Sequence, residues 1–159
     1  MTESGITEDH VLVNHWLRGL NAKTGLHLRL NDQGVCAVGH ASGLDCAIEV
    51  PDGRGVAYLR IPLMPWAGSP STLAEYCLTE HFMGINTEGA AFAIDREERE
   101  LVLWTARRLS SMDEQRLGRL LVELFDTAVR WKVQLEEFCR GQTADTGAHD
   151  AREPSFVKA

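Results

Sequence analysis

The sequence GINTEGAAFAIDREERELVLWTARR, residues 84–108, indicates the fold more directly than any other part of the chain. Phe92 and Ile94 alternate with alanine and aspartate, which is the two-residue period of a β-strand. Residues 95–100 are all charged and predict a turn. Residues 101–104 are apolar on both faces, as expected of a strand that is covered from both sides. We therefore predict a β-hairpin.

A long amphipathic helix is predicted directly after this hairpin. Ser111 and Glu114 fit the capping box, in which each side chain satisfies a backbone N–H near the start of a helix. The following apolar residues recur at intervals of three and four and form one wide stripe. The stripe consists of Leu117, Leu121, Leu124, Ala128, Trp131, Leu135 and Phe138. From residue 140 onward the sequence has no period, so we expect one domain over residues 1–139 and a disordered tail over residues 140–159.

The first part of the chain predicts one helix and then several strands. Thr7 is the expected N-cap of a helix that ends near Asn21, since Glu8 and Asp9 would complement the helix dipole in its first turn. Short apolar or alternating runs, separated by turn residues, predict the strands. These strands are residues 26–30, 35–38, 44–50 and 56–63, where 44–50 is either a separate strand or a continuation of 35–38.

A second helix separates these strands from the hairpin. Pro62 and Pro65 end the strand before it and favour an edge position there, because proline cannot donate a hydrogen bond to a neighbouring strand. Ser69 and Pro70 are the expected N-cap and first residue of this helix, which continues to about Met83. The complete pattern is α-β-β-β-α-β-β-α. It predicts an α+β protein with an antiparallel twisted sheet of about five to six strands and three helices.

The overall charge and composition limit the possible partners. The 159-residue chain has a net charge of −7, which disfavours nucleic acid or an anionic membrane as a partner. No apolar run approaches the ~18 residues of a membrane span, and the polar N-terminus lacks the pattern of a secretory signal. The four cysteines are widely spaced, without a C-x-x-C motif. We therefore expect free thiols in a cytoplasmic protein.

Two groups of cysteine and histidine have the residue types of a metal site. Cys36 and His40, with Cys46 nearby, are too far apart along a strand to bind one ion. Cys77 and His81 are four residues apart on a predicted helix and would face one another. Two ligands are too few unless a two-fold partner supplies the others, so we predict neither a metal nor another cofactor.

No other motif predicts catalysis. Ser42 lies in a glycine-flanked turn whose spacing departs from that of a nucleophile elbow. Gly53 and Gly55 lack the third glycine and the following helix of a dinucleotide-binding fingerprint. The remaining histidines occupy polar positions, where we expect them to be solvated. They are His10, His15, His27 and His149. We therefore expect that the protein is not an enzyme.

Several stretches match the pattern of a known family. Residues 73–78 (LAEYCL) with the downstream Asn86 look like its second helix, and residues 89–95 and 101–104 look like its paired strands. Residues 109–125 with Trp131 look like its closing helix. On these patterns, and on the order of its elements over about residues 6–138, the chain resembles the class I type III secretion chaperones. These small acidic proteins, which include Tir chaperones, escort effectors.

The resemblance implies a non-enzymatic homodimer that binds the extended N-terminal segment of a secreted effector and keeps it soluble and competent for secretion. It also suggests the secretion ATPase as a further partner. On this basis we expect two surfaces. The expected effector-binding residues are Val13, Trp16, Leu17, Leu20, Leu28, Leu30 and Ile48. The expected dimer contacts are Leu73, Tyr76, Cys77 and Glu80.

Two other functions stay open on sequence alone. A small adaptor of similar α+β shape would bind a folded protein domain, whereas a chaperone binds an extended segment. A metal- or ligand-binding enzyme domain would use Cys77 and His81. The binding state of the partner distinguishes the adaptor from the chaperone, and the zinc content of the purified protein tests the enzyme.

Overall fold

The computed structural model describes residues 7–66 and 71–149, with the side chains of residues 7–66 and 71–142. Its helices are α1 (Glu8–Thr24), α2 (Ser71–Glu80) and α3 (Glu114–His149). Its strands are β1 (Val35–Gly39), β2 (Asp45–Glu49), β3 (Val56–Pro65), β4 (Ala91–Asp95) and β5 (Glu100–Arg108). Short 3-10 turns at Phe82–Gly84 and Leu109–Ser111 follow α2 and β5.

Within the described residues, five antiparallel strands form one sheet in the order β1-β2-β3-β5-β4. The β4–β5 hairpin pairs Ala91 with Trp104 and Asp95 with Glu100. The Asp95 carboxylate also accepts hydrogen bonds from the backbone N–H groups of Glu97 and Glu98, at 3.0 and 3.1 Å, and so closes the charged turn. The predicted hairpin is confirmed, as are the α+β class and the three helices.

One hydrophobic core joins a single face of the sheet to the three helices. Alternate residues of β3 are buried, and Leu59 and Ile61 are fully enclosed. The predicted apolar stripe of α3 belongs to the same core, where Trp131 and Leu135 are also fully buried. Full burial of a large apolar side chain contributes about 1.5–3 kcal/mol relative to exposure. The interface between sheet and helices therefore supplies much of the stability of the fold.

Residues 26–30 do not form the predicted strand. They run between α1 and β1 and pair with no strand of the described chain. The alternation in their sequence is nevertheless reflected in their burial, since Leu30 is buried and Leu28 half-buried while His27 and Arg29 are exposed. The two-residue period thus reports an extended chain with one covered face, and it does not require a neighbouring strand.

The prolines lie within β3 and not after it. Although β3 is flanked by β2 and β5, β2 pairs with it only from Tyr58 to Arg60. Among the described strands, the end of β3 that holds Pro62 and Pro65 therefore has β5 as its single neighbour. The predicted edge position is correct for this end only. The register with β5 shifts between Pro62 and Met64, as expected of a ladder that accommodates a missing donor.

Asp113 caps the N-terminus of α3, and the prediction that Ser111 does so was wrong. The Asp113 carboxylate accepts the N–H of Arg116 at 2.8 Å and its carbonyl accepts the N–H of Leu117 at 2.9 Å. The Ser111 hydroxyl instead donates to the carbonyl of Arg108 at 2.9 Å. Both residues precede the helix, and the sequence pattern alone did not separate them.

The ends of the helices also differ from prediction. α1 begins after Thr7 as expected but continues to Thr24. α2 ends at Glu80, three residues before the predicted Met83. α3 reaches His149, so residues 140–149 of the expected disordered tail are helical. The predicted N-cap and first residue of α2, residues 69 and 70, lie outside the described residues, as do residues 150–159.

Candidate functional site

Most of the expected effector-binding residues are part of the core. The buried ones are Val13, Trp16, Leu17, Leu30 and Ile48, with exposures from 0% to 7%. Leu20 and Leu28 are partly buried and pack against the same core. These five buried side chains therefore do not present a surface in this structure. An apolar stripe predicts burial, but it does not say whether a partner or the chain itself provides the cover.

An exposed apolar surface lies on α1 next to its buried stripe, beside residues 26–30. Val11, Leu12 and Leu26 have exposures of 55%, 40% and 42%. A cavity of about 520 Å³ opens between the helix and the extended segment. We call this cavity the α1 groove. Its lining consists of Val11, Asn14, Arg18, Asn21, His27, Leu28 and Arg29.

Side chains of α1 hold the extended segment in place. The Asn21 amide accepts the N–H of Leu28 at 2.7 Å and donates to the carbonyl of Leu28 at 2.9 Å. Asn14 accepts the N–H of Leu30 at 2.9 Å. Gly25, at a φ of 74°, ends α1 in the left-handed conformation and reverses the chain. The two asparagines thus provide the hydrogen bonds that a neighbouring strand would otherwise provide.

Main-chain groups alternate in direction along an extended chain. Because the groups of Leu28 and Leu30 bond toward α1, those of His27 and Arg29 are directed away from it. Burial raises the pKa of the Cys36 thiol of β1, and the nearby backbone of Arg29 partly opposes this effect. The groove therefore has an apolar floor and a wall of extended backbone whose outer edge faces away from the helix.

His10 is buried, so the prediction that it is solvated was wrong. Its Nε2 lies 2.8 Å from the carbonyl of Val50 and 3.0 Å from a carboxylate oxygen of Asp52. Residues 10, 13 and 17 fall at i, i+3 and i+7, and this spacing places His10 on the buried stripe of α1. The spacing was the available signal in the sequence.

The expected dimer residues on α2 mostly face inward. Leu73 and Cys77 have exposures of 1% and 3%. Tyr76 stacks on Phe138 of α3 with ring centroids 4.3 Å apart. Glu80 accepts a hydrogen bond from the side-chain amide of Asn86 at 2.8 Å. In the single chain Leu73 and Cys77 are therefore covered, while Tyr76 and Glu80 are half-buried, and the assignment of these four residues to a dimer interface stays a prediction.

Other side chains at the end of α2 are exposed and apolar. Leu78, Phe82, Met83 and Ile85 have exposures of 72%, 74%, 78% and 72%. We call these four residues the α2 patch. A shallow cavity of about 690 Å³ adjoins Leu78 and Phe82. Exposed large apolar side chains that lie close together are typical of protein interaction sites.

The loop after α2 is fixed to α3. Trp131 donates from its indole nitrogen to the carbonyl of Asn86 at 3.0 Å, and Arg130 donates to the same carbonyl at 3.3 Å. Arg130 also forms an ion pair with Glu88 at 2.9 Å. These contacts fix the loop that carries Ile85 to α3, and so they fix the position of this part of the α2 patch.

The Cys77–His81 pair does not have the character of a metal site. Burial, and then the neighbouring Cys139 thiol, raise the pKa of Cys77 to about 11, which disfavours the thiolate that a metal requires. The Nδ1 atom of His81 makes a hydrogen bond with the Thr87 hydroxyl at 3.3 Å. Within the described part of the chain, no group of three or more potential ligands lies close enough to hold a metal ion.

No helix among the described residues is both long and apolar enough to span a bilayer.

The sequence matches the profile of the Tir chaperone protein (CesT) family over residues 15–132. This match includes α2, the hairpin and about the first half of α3, and it begins within α1. No curated protein matches the chain.

Several solved structures share the fold at low sequence identity. The ExsC–ExsE complex matches with 18% identity and a TM-score of 0.66, over 79% of this chain and 95% of that chain. The ExoU–SpcU complex of the Pseudomonas aeruginosa type III secretion system matches with 21% identity and a TM-score of 0.55, over 77% and 93%. The Yersinia pestis type III secretion chaperone SycH, bound to a stable fragment of YscM2, matches with 17% identity and a TM-score of 0.56, over 74% and 97%.

Proposed function

This chain belongs to the Tir chaperone protein (CesT) family, and from that premise we propose that it is a type III secretion chaperone. In this role it binds the extended, non-globular N-terminal segment of an effector in the cytoplasm and keeps that segment soluble and competent for secretion. The activity consists of binding alone and requires no catalytic group or cofactor. SycH, whose fold this chain shares, is a secretion chaperone seen in complex with a fragment of another protein.

The α1 groove is the observation that carries the proposal. Its aliphatic side chains, the exposed Val11 and the half-buried Leu28, can cover the side chains of a bound segment, and each fully buried aliphatic residue contributes about 1.5–3 kcal/mol. Its wall is an extended backbone that no strand of the described chain covers. An extended peptide can lie along this wall and place alternate side chains in the groove.

The α2 patch supports the homodimer that forms part of this proposal. A two-fold interface uses the same surface on both copies, so an apolar patch centred on Leu78 and Phe82 can pack against itself. The dimer would carry two α1 grooves, and one effector segment could contact both. Transfer of the effector to the secretion ATPase is an expectation from family membership.

Purification of the tagged protein from its native cytoplasm tests this function. We expect a dimer that carries one copy of a larger protein, from which limited proteolysis leaves an N-terminal fragment protected by the chaperone. Protection of a folded domain would instead favour the adaptor function. A protein that purifies without any partner would contradict the chaperone proposal.

A matched pair of substitutions then assigns the site. Val11→Asp places a charge in the α1 groove, whereas Val122→Asp places the same charge on the exposed face of α3; the two valines are 55% and 61% exposed. Loss of one buried aliphatic contact predicts that Val11→Asp reduces the amount of co-purified partner by about tenfold, while Val122→Asp has no effect. Equal recovery with both variants would exclude the groove as the effector site.

A further inference from the structure

The charges in the α1 groove are opposite in sign to the charge of the protein. The chain carries 23 acidic and 16 basic residues. Among the described residues, the groove is nevertheless lined by Arg18, Arg29 and His27 and by no carboxylate. Its other lining residues are aliphatic or are the asparagines that hold the extended segment. A basic groove on an acidic surface gives a local electrostatic preference that the net charge of the chain does not reveal.

The two arginines have no acidic partner within the described part of the chain. None of its six ion pairs includes Arg18 or Arg29. By contrast, Arg60 is paired with both Glu49 and Asp95. Arg18 and Arg29 are both exposed, so a bound molecule can reach their guanidinium groups.

The geometry places these charges on opposite walls of one apolar floor. Arg18 is four residues after Asn14 and three before Asn21, so it lies on the face of α1 that holds the extended segment. Arg29 follows Leu28 on that segment and lines the groove from the side opposite α1. A peptide in the groove therefore lies beside one arginine of the helix and one arginine of the segment, with Val11 and Leu28 in the same lining.

We propose that the α1 groove selects an extended peptide segment in which acidic residues lie next to aliphatic residues. Val11 and Leu28 take the aliphatic side chains, and Arg18 and Arg29 take the carboxylates as specificity-determining residues. Guanidinium groups bind carboxylates in fork-shaped hydrogen-bonded pairs, and the apolar surroundings strengthen these pairs. This inference rests on the proposed chaperone function and names the class of segment that it binds.

Selection from a displayed library of random peptides tests the specificity directly. The targets are the full-length chain, the Arg18→Glu/Arg29→Glu variant, and Arg119→Glu as a control, since Arg119 is exposed on α3 and has no part in the groove. We expect the wild type and the control to enrich peptides with aspartate or glutamate beside leucine, isoleucine or valine. The double variant should enrich lysine or arginine at those positions instead.

A pair of synthetic peptides measures the size of the preference. One peptide alternates leucine with aspartate, and its twin has asparagine at each aspartate. Exposed ion pairs are individually weak, so we expect the acidic peptide to bind the wild type about fivefold more tightly than its twin. The preference should be lost in an Arg18→Gln/Arg29→Gln variant and reduced at high salt.

The outcomes separate this inference from the proposed function. Enrichment of aliphatic peptides without acidic residues would overturn the charge preference and leave the peptide-binding function intact. Enrichment of no aliphatic peptide, together with the absence of a co-purified partner, would overturn both. A third outcome is that a second copy of the chain displaces the selected peptides and that their binding does not depend on Arg18. This result would assign the groove to self-association and would also overturn the inference.

Discussion

The imidazole of His10 connects three segments that are distant in the sequence. It belongs to α1, hydrogen-bonds to Val50 and lies beside Asp52, and it fills the space next to Gly34. A buried polar ring of this kind stabilises the fold only while its partners are in place, because an unpaired buried carbonyl costs about 1–3 kcal/mol. The entry of α1 into the core is therefore fixed by a hydrogen bond as well as by apolar packing.

Substitution of His10 measures this contact. In His10→Ala the carbonyl of Val50 loses its partner and a cavity remains, so we expect the free energy of unfolding to fall by about 2–3 kcal/mol. His15→Ala, on the exposed face of the same helix, should change it by less than about 0.5 kcal/mol. Urea denaturation of both variants gives these values, and equal midpoints would show that the buried hydrogen bond has no net effect.

Gly34 and Gly53 form a second matched pair at the scale of single residues. Both have a positive φ, 74° and 64°. A Cβ atom on Gly34 would lie 2.5 Å from the His10 ring and the Val50 carbonyl, whereas one on Gly53 would meet no atom within 4 Å. Alanine at either position carries a similar conformational cost of about 1 kcal/mol, so we expect Gly34→Ala to be more destabilising by a further 1–3 kcal/mol or so. Equal thermal shifts would contradict the close approach.

At the scale of elements, the segment beside α1 shows what a sequence pattern can and cannot specify. Alternation at residues 26–30 correctly indicated an extended chain with Leu28 and Leu30 on the covered side. It did not identify the neighbour, because Asn14 and Asn21 lie on a helix where asparagine has no preferred role. The hairpin was easier to predict, since its charged turn and paired apolar runs are adjacent in sequence.

Removal of the Asn21 side chain should loosen this segment without unfolding the protein. Asn21→Ala deletes both hydrogen bonds to Leu28, at 2.7 and 2.9 Å. We expect the Leu28 amide to exchange about tenfold faster with solvent deuterium, while amides of β5 remain unchanged. Asn21→Asp keeps the acceptor for the Leu28 N–H and should give an intermediate rate. Unchanged exchange in both variants would show that the core alone holds the segment.

At the scale of the whole molecule, most of the predicted site residues are buried in the core, and different residues of the same helices form the exposed apolar surfaces. The sequence identified the apolar residues of α1 and α2 correctly, but their exposure depends on how the helices rotate against the sheet. The inward stripe became core, and the neighbouring residues of each helix provide the α1 groove and the α2 patch. Tertiary packing decides this rotation, so the α+β class and the order of helices and strands along the chain were predictable from the sequence, while the exposure of each apolar residue was not.

The proposed dimer depends on the α2 patch and is tested by its mass in solution. Phe82→Glu places a charge at a centre that self-association would bury, so we expect the dissociation constant to rise about a hundredfold or more and a monomer to appear at micromolar concentration. Val133→Glu, on an exposed site of α3, should leave the dimer intact. Sedimentation or light scattering distinguishes the two. A dimeric Phe82→Glu protein would place the interface elsewhere.

The long pairing between β3 and β5 has a consequence for synthesis of the chain. These central strands pair from Val56–Arg108 to Pro65–Glu100, and α2 and β4 lie between them in sequence. Until residue 108 has left the ribosome, the apolar edge of β3 has no partner, and such an edge invites pairing with other nascent chains. The central pair of strands therefore forms late, after most of the polypeptide has been made, and the folding rate of the sheet depends on this distant contact.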